Sequence, residues 1–382
     1  MAMIVVHAGT EPPARWDASL FLAGPTPRSA EVASWRPAAL AEIGERWTGP
    51  GTLVVFVPEP AGGVWPDYTD QRTWELRWGD RCDVVLFWIP RGPGLPALTT
   101  NDEFGRWKDS GRVVLGTPPG AESVRYQRGY AADAGIPTSD TLAGTVESAL
   151  SALGSGVDRS GGERFVPLGI RRTPSFDGWY RALVAAGNEL RDARQVWSHR
   201  YDGRIVFWAL HVAVWVAAED RVKDNELVLS RPDIASVLAY LPADDPWDTE
   251  VLLVREFRSP ARTGDGFVLE LPGGSAPSTA APVEVAAQEL VEETGLRISP
   301  ARLVPHVPRQ QAATMSAHRQ AVFSVRLTAA EMDRVRGRGP VAAGTEITHP
   351  VVRRVRELFA DGQADWSTLG AVAGVLLGRS PS

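Results

Sequence analysis

Two sets of carboxylates in this sequence have the types and spacing to do chemistry. In "AAQELVEETGL", residues 286–296, Glu289 and Glu293 are four apart and share a helix face, with Glu292 flanking them. Like charges at that spacing repel. The stretch reads either as an acidic face left to solvent, or as a grip on a hard divalent cation such as Mg2+ or Mn2+, which takes a few carboxylates together with phosphate oxygens. Gly295 stands where such a helix would close in a left-handed turn. The second set is Glu75 in "DQRTWEL" and Glu103 in "TTNDEFG". Singly, each reads as a surface charge. Each lies near a strand end or a helix start, where an α/β sheet collects its ligand.

The elements that must position these groups follow from the apolar pattern. "SLFLAGP", "TLVVFVPEP", "DVVLFWIP" and "RVVLGTPP" have the length and composition of buried strands, and "DQRTWELRW" and "NDEFGRWKDSG" alternate with them as helices, the second with Asn101 and Asp102 as cap candidates. "TSDTLAGTVESALSAL" reads as a closing helix. Alternation of this kind predicts a parallel α/β sheet, Rossmann-like in layout, that collects ligand at the carboxyl ends of its strands. "GSGVDRSGGE", residues 154–163, has the composition of a flexible linker. "SFDGWYRALVAAGNELRDARQVW" reads as a helix, followed by strands at "RIVFWALHVAVWVAA", "IASVLAYLP", "EVLLVREF" and "GFVLELPGG". Then come the acidic helix, a strand at "QAVFSVRLT", and helices at "HPVVRRVRELFADG" and "DWSTLGAVAGVLLG", an α+β order. The expected organisation is an N-terminal domain over 1–153, a linker and connecting helix over 154–194, and a C-terminal domain over 195–382.

Upstream of the acidic helix, "LELPGG" ends a strand in a Gly pair. From there the sequence resembles the Nudix hydrolase family, whose box runs G-x5-E-x7-R-E-U-x-E-E-x-G-U with U a bulky apolar residue. Gly274, Glu289, Leu290, Glu292, Glu293, Gly295 and Leu296 fit it; Ala280 replaces its first Glu and Gln288 its Arg. In the family those two side chains typically brace the loop and helix, so both halves of one pair are gone. "VREFRSPAR" before "LELPGG" is similar to the ADP-ribose pyrophosphatase branch, over roughly residues 200–378. The resemblance implies an α/β/α sandwich of Nudix type and Mg2+ or Mn2+ held by Glu289, Glu293 and the Gly273 carbonyl. It further implies Glu292 in catalysis, Arg258 on substrate and Glu346, in "GTEITHP", as a late-loop catalytic carboxylate. A domain that binds a nucleotide without cleaving it is the alternative that Ala280 and Gln288 raise.

"FLAGP", "DVVLFWIP" and the carboxylates Glu75 and Glu103, over about residues 18–135, resemble the nucleoside 2-deoxyribosyltransferase family and its N-glycoside hydrolase relatives. By position Glu103 matches the nucleophile, and Glu75, eight residues before Asp83, matches the acidic residue serving the base, with Glu where the better-known transferases have Asp. Arg28 and Ser29, after "LFLAGPTP", are placed to hold a 5′-phosphate. Trp35, Trp65 and Trp74 are candidates to stack on the base, against core packing as the plainer role of each.

Composition bounds the rest. A chain of 382 residues with 44% hydrophobic and 23% charged residues predicts two globular domains. No run approaches the ~18 apolar residues of a membrane span, and the start "MAMIVVHAGTEPP" lacks a signal-peptide pattern. A net charge of −6 without a basic stripe weighs against nucleic-acid binding. The single Cys82, inside an apolar run, fits a core thiol and a reducing cytoplasm. The expected partners are small-molecule nucleotides, and a homodimer is expected because both resembled families commonly dimerise.

Overall fold

The structure is a computed structural model that describes residues 2–27, 31–61, 68–275, 280–343 and 346–376, with the backbone alone for Tyr68, Ala343 and Glu346. It divides into two compact units, Met1–Leu229 and Ser230–Ser382. The boundary therefore falls after Leu229 rather than at the expected linker.

Unit 1 is built on six parallel strands: β1 (Ala2–His7), β2 (Ala18–Ala23), β3 (Thr52–Val57), β4 (Val84–Trp88), β5 (Val113–Gly116) and β6 (Thr138–Ser139). Their order is β1-β3-β2-β4-β5-β6. Between them run α1 (Arg36–Arg46), α2 (Tyr68–Arg81), α3 (Leu98–Trp107), α4 (Arg125–Asp133) and α5 (Leu142–Leu153). The expected α/β architecture is thus present. The strands are buried on both faces, as parallel strands covered by helices must be. The two-residue period sorts the side chains: Leu20, Leu22, Val55 and Leu86 pack with Ile43 of α1 and Val146 of α5. Phe21, Phe56 and Phe87 point the other way and meet Trp74 and Trp78 of α2 and Phe104 and Trp107 of α3. After β2 the chain moves to β3 on one side, then crosses to β4 on the other. The strand order reverses between β2 and β4, which is where a sheet of this kind opens its ligand crevice.

The Gly-rich segment 154–163 is an integral part of unit 1. Val157 N–H donates to the Asp17 carbonyl, and Arg159–Ser160 pairs with Arg15–Trp16. Arg159, 1% exposed, forks onto Asp83 at 2.6 and 3.0 Å. Asp83 also accepts from the Ser19 backbone and hydroxyl and from Leu168 N–H. Breaking a buried, fully bonded ion pair strands one charge, at a cost of about 3–5 kcal/mol. Arg159→Met is expected to lower the unfolding free energy of unit 1 by that amount, read from urea titration, with part of the loss recovered in the Asp83→Asn, Arg159→Met double variant.

The expected long helix from Ser175 stops early. α6 (Pro174–Ala185) ends before Gly187, at φ 79°, and the chain turns into β7 (Glu189–Tyr201). β7, β8 (Arg204–Val216) and β9 (Arg221–Ser230) form a separate three-stranded sheet in the order β9-β8-β7. His211 sits on β8 and is exposed.

Unit 2 holds a mixed sheet. β10 (Ile234–Leu241) is antiparallel to β11 (Glu250–Phe257) and pairs with β13 (Gly273–Gly274). β11 also pairs with β12 (Phe267–Glu270). After α7 (Pro282–Thr294) comes β14 (Arg319–Arg326), parallel to β10. β15 (Val341–Ala343) and β16 (Glu346–Arg354) complete it, β16 lying against β11. "HPVVRR", expected to begin a helix, is the end of β16; the helix is the shorter α8 (Val355–Ala360), followed by α9 (Trp366–Leu376). Alternation again assigns the faces. Val237, Ala239 and Leu252 pack with Ala286 and Leu290 of α7, whereas Leu238, Val251 and Leu253 pack with Leu358 of α8 and Leu369 and Val372 of α9. Helices therefore cover both faces of the sheet. Among the described residues, no helix is long and apolar enough to cross a membrane.

Candidate functional site

In unit 1 the residues that could do chemistry gather at the carboxyl ends of β2 and β3. Gly24, at φ 148°, turns the chain out of β2 with its Cα against the Trp88 carbonyl and the Trp35 ring, leaving no room for a Cβ. Arg36, at the start of α1 and 1% exposed, fills the space beneath. Its Nε donates to the Leu22 carbonyl at 3.2 Å, Nη2 to the Gly24 carbonyl at 2.7 Å, and Nη1 to Thr26 Oγ1 at 3.2 Å and Glu59 at 2.5 Å. Glu59 also accepts from the Ser34 hydroxyl.

The charges of Glu75 on α2 and Glu103 on α3 act on this guanidinium. Burial pushes Glu75 up, while the Gln71 amide, donating at 2.8 Å, and Arg36 act against it. Burial pushes Glu103 up to about 8, and the charges of Glu75 and Asp102 add to the rise while Arg36 opposes it. The two carboxylates that sequence reasoning paired are therefore electrostatically coupled in the structure. Coupled carboxylates that resist ionisation retain a proton near neutral pH, the condition for one to serve as acid and the other as base.

Glu103 does not sit at a helix start. α3 begins at Leu98 after Ala97 in a left-handed conformation, and Asn101 and Asp102 lie inside it rather than capping it. Asn101 instead accepts from Gln127 at 2.6 Å and from Arg91, bordering a cleft of about 330 Å³ between α3 and α4 that contains neither Glu75 nor Glu103. Trp35 and Trp74 are core residues, 8% and 7% exposed, whose indole N–H groups donate to the Pro25 and Thr10 carbonyls, the core packing that was the plainer role of each. Arg28, Ser29 and Trp65 lie outside the described residues. Cys82 is buried and its thiol is pushed up to about 12 by desolvation, as a core thiol should be.

In unit 2 the acidic helix is α7, and Gly295, at φ 68°, closes it by donating to the Val291 carbonyl at 2.8 Å, as the spacing predicts. Glu293 turns inward, and its carboxylate accepts from Gly273 N–H at 2.8 Å. Glu289 lies against Gly274, where an added Cβ would fall within contact distance of its carboxylate. The pair thus closes on consecutive residues of one loop. Burial pushes Glu293 up to about 8; the Gly273 amide opposes the rise, and Glu289 and Glu256 add to it.

Glu292 is not brought to this pair. It is exposed and accepts from Gln288 at 2.7 Å on the outer face of α7. Arg258 is tied into ion pairs with Glu256 at 2.9 Å and Glu270 at 2.7 Å, and remains partly exposed. Glu346 opens β16, and its side chain lies outside the described residues. Among the described residues no three His, Cys, Asp or Glu side chains are already gathered to hold a metal ion. Two carboxylates of α7 that close on Gly273 and Gly274 still suit Mg2+, which takes one or two protein carboxylates and completes its shell with water and substrate phosphates.

Sequence reasoning missed Arg36, Glu59 and Glu256. Glu256 had a usable signal: it is in phase with the buried Leu252 and Val254 on β11, where an apolar residue belongs. Glu59 had one too, held between Pro58 and Pro60 directly after a buried strand. Arg36 had none in the local sequence.

No protein-family model matches this chain, and no curated protein matches it.

Proposed function

We propose that this chain is a bifunctional nucleotide-processing enzyme. Unit 1 cleaves or transfers the N-glycosidic bond of a nucleoside or nucleotide. Unit 2 hydrolyses a nucleoside diphosphate derivative such as ADP-ribose with Mg2+ or Mn2+. The observation that carries the reading is the coupling of Glu75 and Glu103 beside a buried arginine at the crevice of the parallel sheet. The resemblances to the nucleoside 2-deoxyribosyltransferase and Nudix families support it.

In unit 1 the bond between sugar C1′ and the base nitrogen breaks, and its electron pair leaves with the base. The pair's retained proton neutralises that nitrogen. Glu103, the group assigned to attack, is pushed up to about 8, so its proton must pass to Glu75 or to the base before it attacks C1′. Water then gives hydrolysis, and a second base gives transfer.

In unit 2 Glu289, Glu293 and the Gly273 carbonyl would hold the divalent ion, which supplies charge neutralisation at the diphosphate and a more acidic bound water. Gly273 N–H fixes the orientation of Glu293, and Arg258, partly exposed between Glu256 and Glu270, presents positive charge for an anionic substrate. Gly274→Ala is expected to push the Glu289 carboxylate off the loop. Diphosphate hydrolysis, read by mass spectrometry of the products, should fall by about 10- to 100-fold.

The test is a screen of nucleosides, nucleotides, NAD and ADP-ribose against the full chain, read by mass spectrometry. Base release that persists in EDTA, with diphosphate cleavage that requires Mg2+, is the expected result. The absence of both across the panel would overturn the reading. The Gln288–Glu292 hydrogen bond, which occupies a carboxylate assigned to catalysis, favours one alternative for unit 2: a nucleotide sensor that binds without cleaving. In that case ADP-ribose with Mg2+ raises the melting temperature and is recovered intact.

A further inference from the structure

The cleft between α3 and α4 has hydrogen-bonding capacity that the chain itself does not spend. Its volume of about 330 Å³ falls at the small end of ligand pockets, which run from ~300 to ~1,000 Å³. Asn101 and Phe104 line it from α3, three residues apart and so on one face of that helix, while Glu103 projects from another. Tyr126, Gln127 and Tyr130 line it from α4, and Arg91 from the chain after β4.

The hydrogen bonds decide which atoms remain. A side-chain amide can sit either way round, and here one guanidinium settles two of them. Arg91 is a donor only; besides the Ala97 and Ser123 carbonyls it meets Asn101, which must therefore present Oδ1. The same Oδ1 takes Gln127 Nε2 at 2.6 Å. Asn101 Nδ2 is left as a donor and Gln127 Oε1 as an acceptor, neither with a partner among the described residues. Gln127 is 6% exposed, so its acceptor is a buried polar atom that the fold leaves unfilled. Tyr126, 76% exposed, and Tyr130 stand four residues apart on α4 with ring centroids 6.4 Å apart. A water would satisfy the acceptor but gives no account of two aromatic rings held at the surface of the same cleft.

We propose that this cleft is a nucleobase site, distinct from the Glu75–Glu103 pair: Asn101 Nδ2 donates to a ring nitrogen or carbonyl of the base, Gln127 Oε1 accepts from the adjacent N–H, and Tyr126 swings onto the ring face. Each common base carries an acceptor and an N–H side by side on its Watson–Crick edge, and each has a face to stack. The site therefore selects a class of ligand rather than one base. The proposal does not rest on the glycosidic reading, which base release decides separately.

The test uses the full chain labelled with 15N-asparagine and, as probes that cannot be turned over, free adenine and free uracil. The sequence has three asparagines, Asn101, Asn188 and Asn225, so the side-chain NH2 signal missing from Asn101→Asp is that of Asn101. That signal is expected to shift with either base and to saturate. Asn101→Asp keeps an oxygen for Arg91 and Gln127 but loses the NH2 group, so affinity measured by equilibrium dialysis should fall about 10-fold or more. Tyr126→Ala, at an exposed position, should weaken binding about 10-fold with the fold intact. Glu103→Gln should leave the shift and its midpoint unchanged. An Asn101 signal that neither base moves, or an affinity that Asn101→Asp and Tyr126→Ala both leave intact, overturns the proposal. A shift lost in Glu103→Gln overturns it too, by placing the base at the carboxylate pair.

Discussion

Glu103→Gln is expected to lower base release by the full chain about 10³-fold or more while Mg2+-dependent diphosphate cleavage continues at the wild-type rate. Gln is nearly isosteric with Glu, so the variant removes the ionisable oxygen and little else. It can neither attack the sugar carbon nor exchange a proton with Glu75. The pH behaviour of the wild type sharpens the expectation. Glu75 and Glu103 are both raised, so base release should rise as the first proton leaves the pair and fall again as the second is lost near pH 8, a bell whose limbs belong to the coupled pair. Stability carries an independent mark of the same group. A carboxyl raised to about 8 in the folded chain binds its proton more tightly than in the unfolded chain. Folding therefore loses stability as pH climbs from the ordinary Glu range to that value. Glu103→Gln removes the penalty, so its melting temperature should match the wild type at pH 4 and exceed it at pH 9. Equal melting temperatures at pH 9 would show that Glu103 is not held in a desolvated, like-charged site. An unaltered rate of base release would remove it from the chemistry.

The parts of this molecule legible in its sequence are those written in local pattern. The strands of the parallel sheet are short apolar runs bounded by prolines and glycines, and they fold where the pattern puts them. The acidic helix and its Gly295 stop follow from spacing alone. Errors arose where a distant partner overrode composition. Segment 154–163 has a linker's glycines, yet Arg159 finds Asp83 76 residues away and the segment is bound into unit 1. Residues 189–197 continue an apolar pattern that helix and strand share over a short run, and the Gly187-Asn188 stop decides in favour of a strand. Glu292 satisfies its motif position but lies on the solvent face of α7, one residue out of phase with the inward Glu293, where Gln288 donates to it. Arg36 lay beyond local reading altogether, since its acceptors come from two strand ends that only the sheet brings together.

Glu293→Gln is expected to abolish Mg2+-dependent diphosphate hydrolysis, well beyond the roughly 100-fold that loss of a supporting group costs, and to leave base release intact. α7 turns a carboxylate inward, 6% exposed, toward Gly273 and within reach of the charges of Glu289 and Glu256. A helix face made only for solubility would turn that charge outward, as Glu292 is turned. The Gly273 amide and the charge of Arg258, itself paired with Glu256, offset only part of the burial beside Glu289, so the carboxyl keeps its proton up to about pH 8 unless a further cation compensates it. The glutamine keeps an oxygen to accept from Gly273 N–H and removes the charge, so the loop should stay in place and the metal-free chain should be at least as stable as the wild type. What it loses is affinity for the ion, which titration with Mn2+ followed by electron paramagnetic resonance measures directly. A Glu293→Gln chain that still binds Mn2+ and cleaves ADP-ribose at the wild-type rate would show that the inward carboxylate serves packing alone. Loss of Mn2+ binding with base release preserved would locate the two chemistries in separate sites, which one polypeptide carries without requiring that either depend on the other.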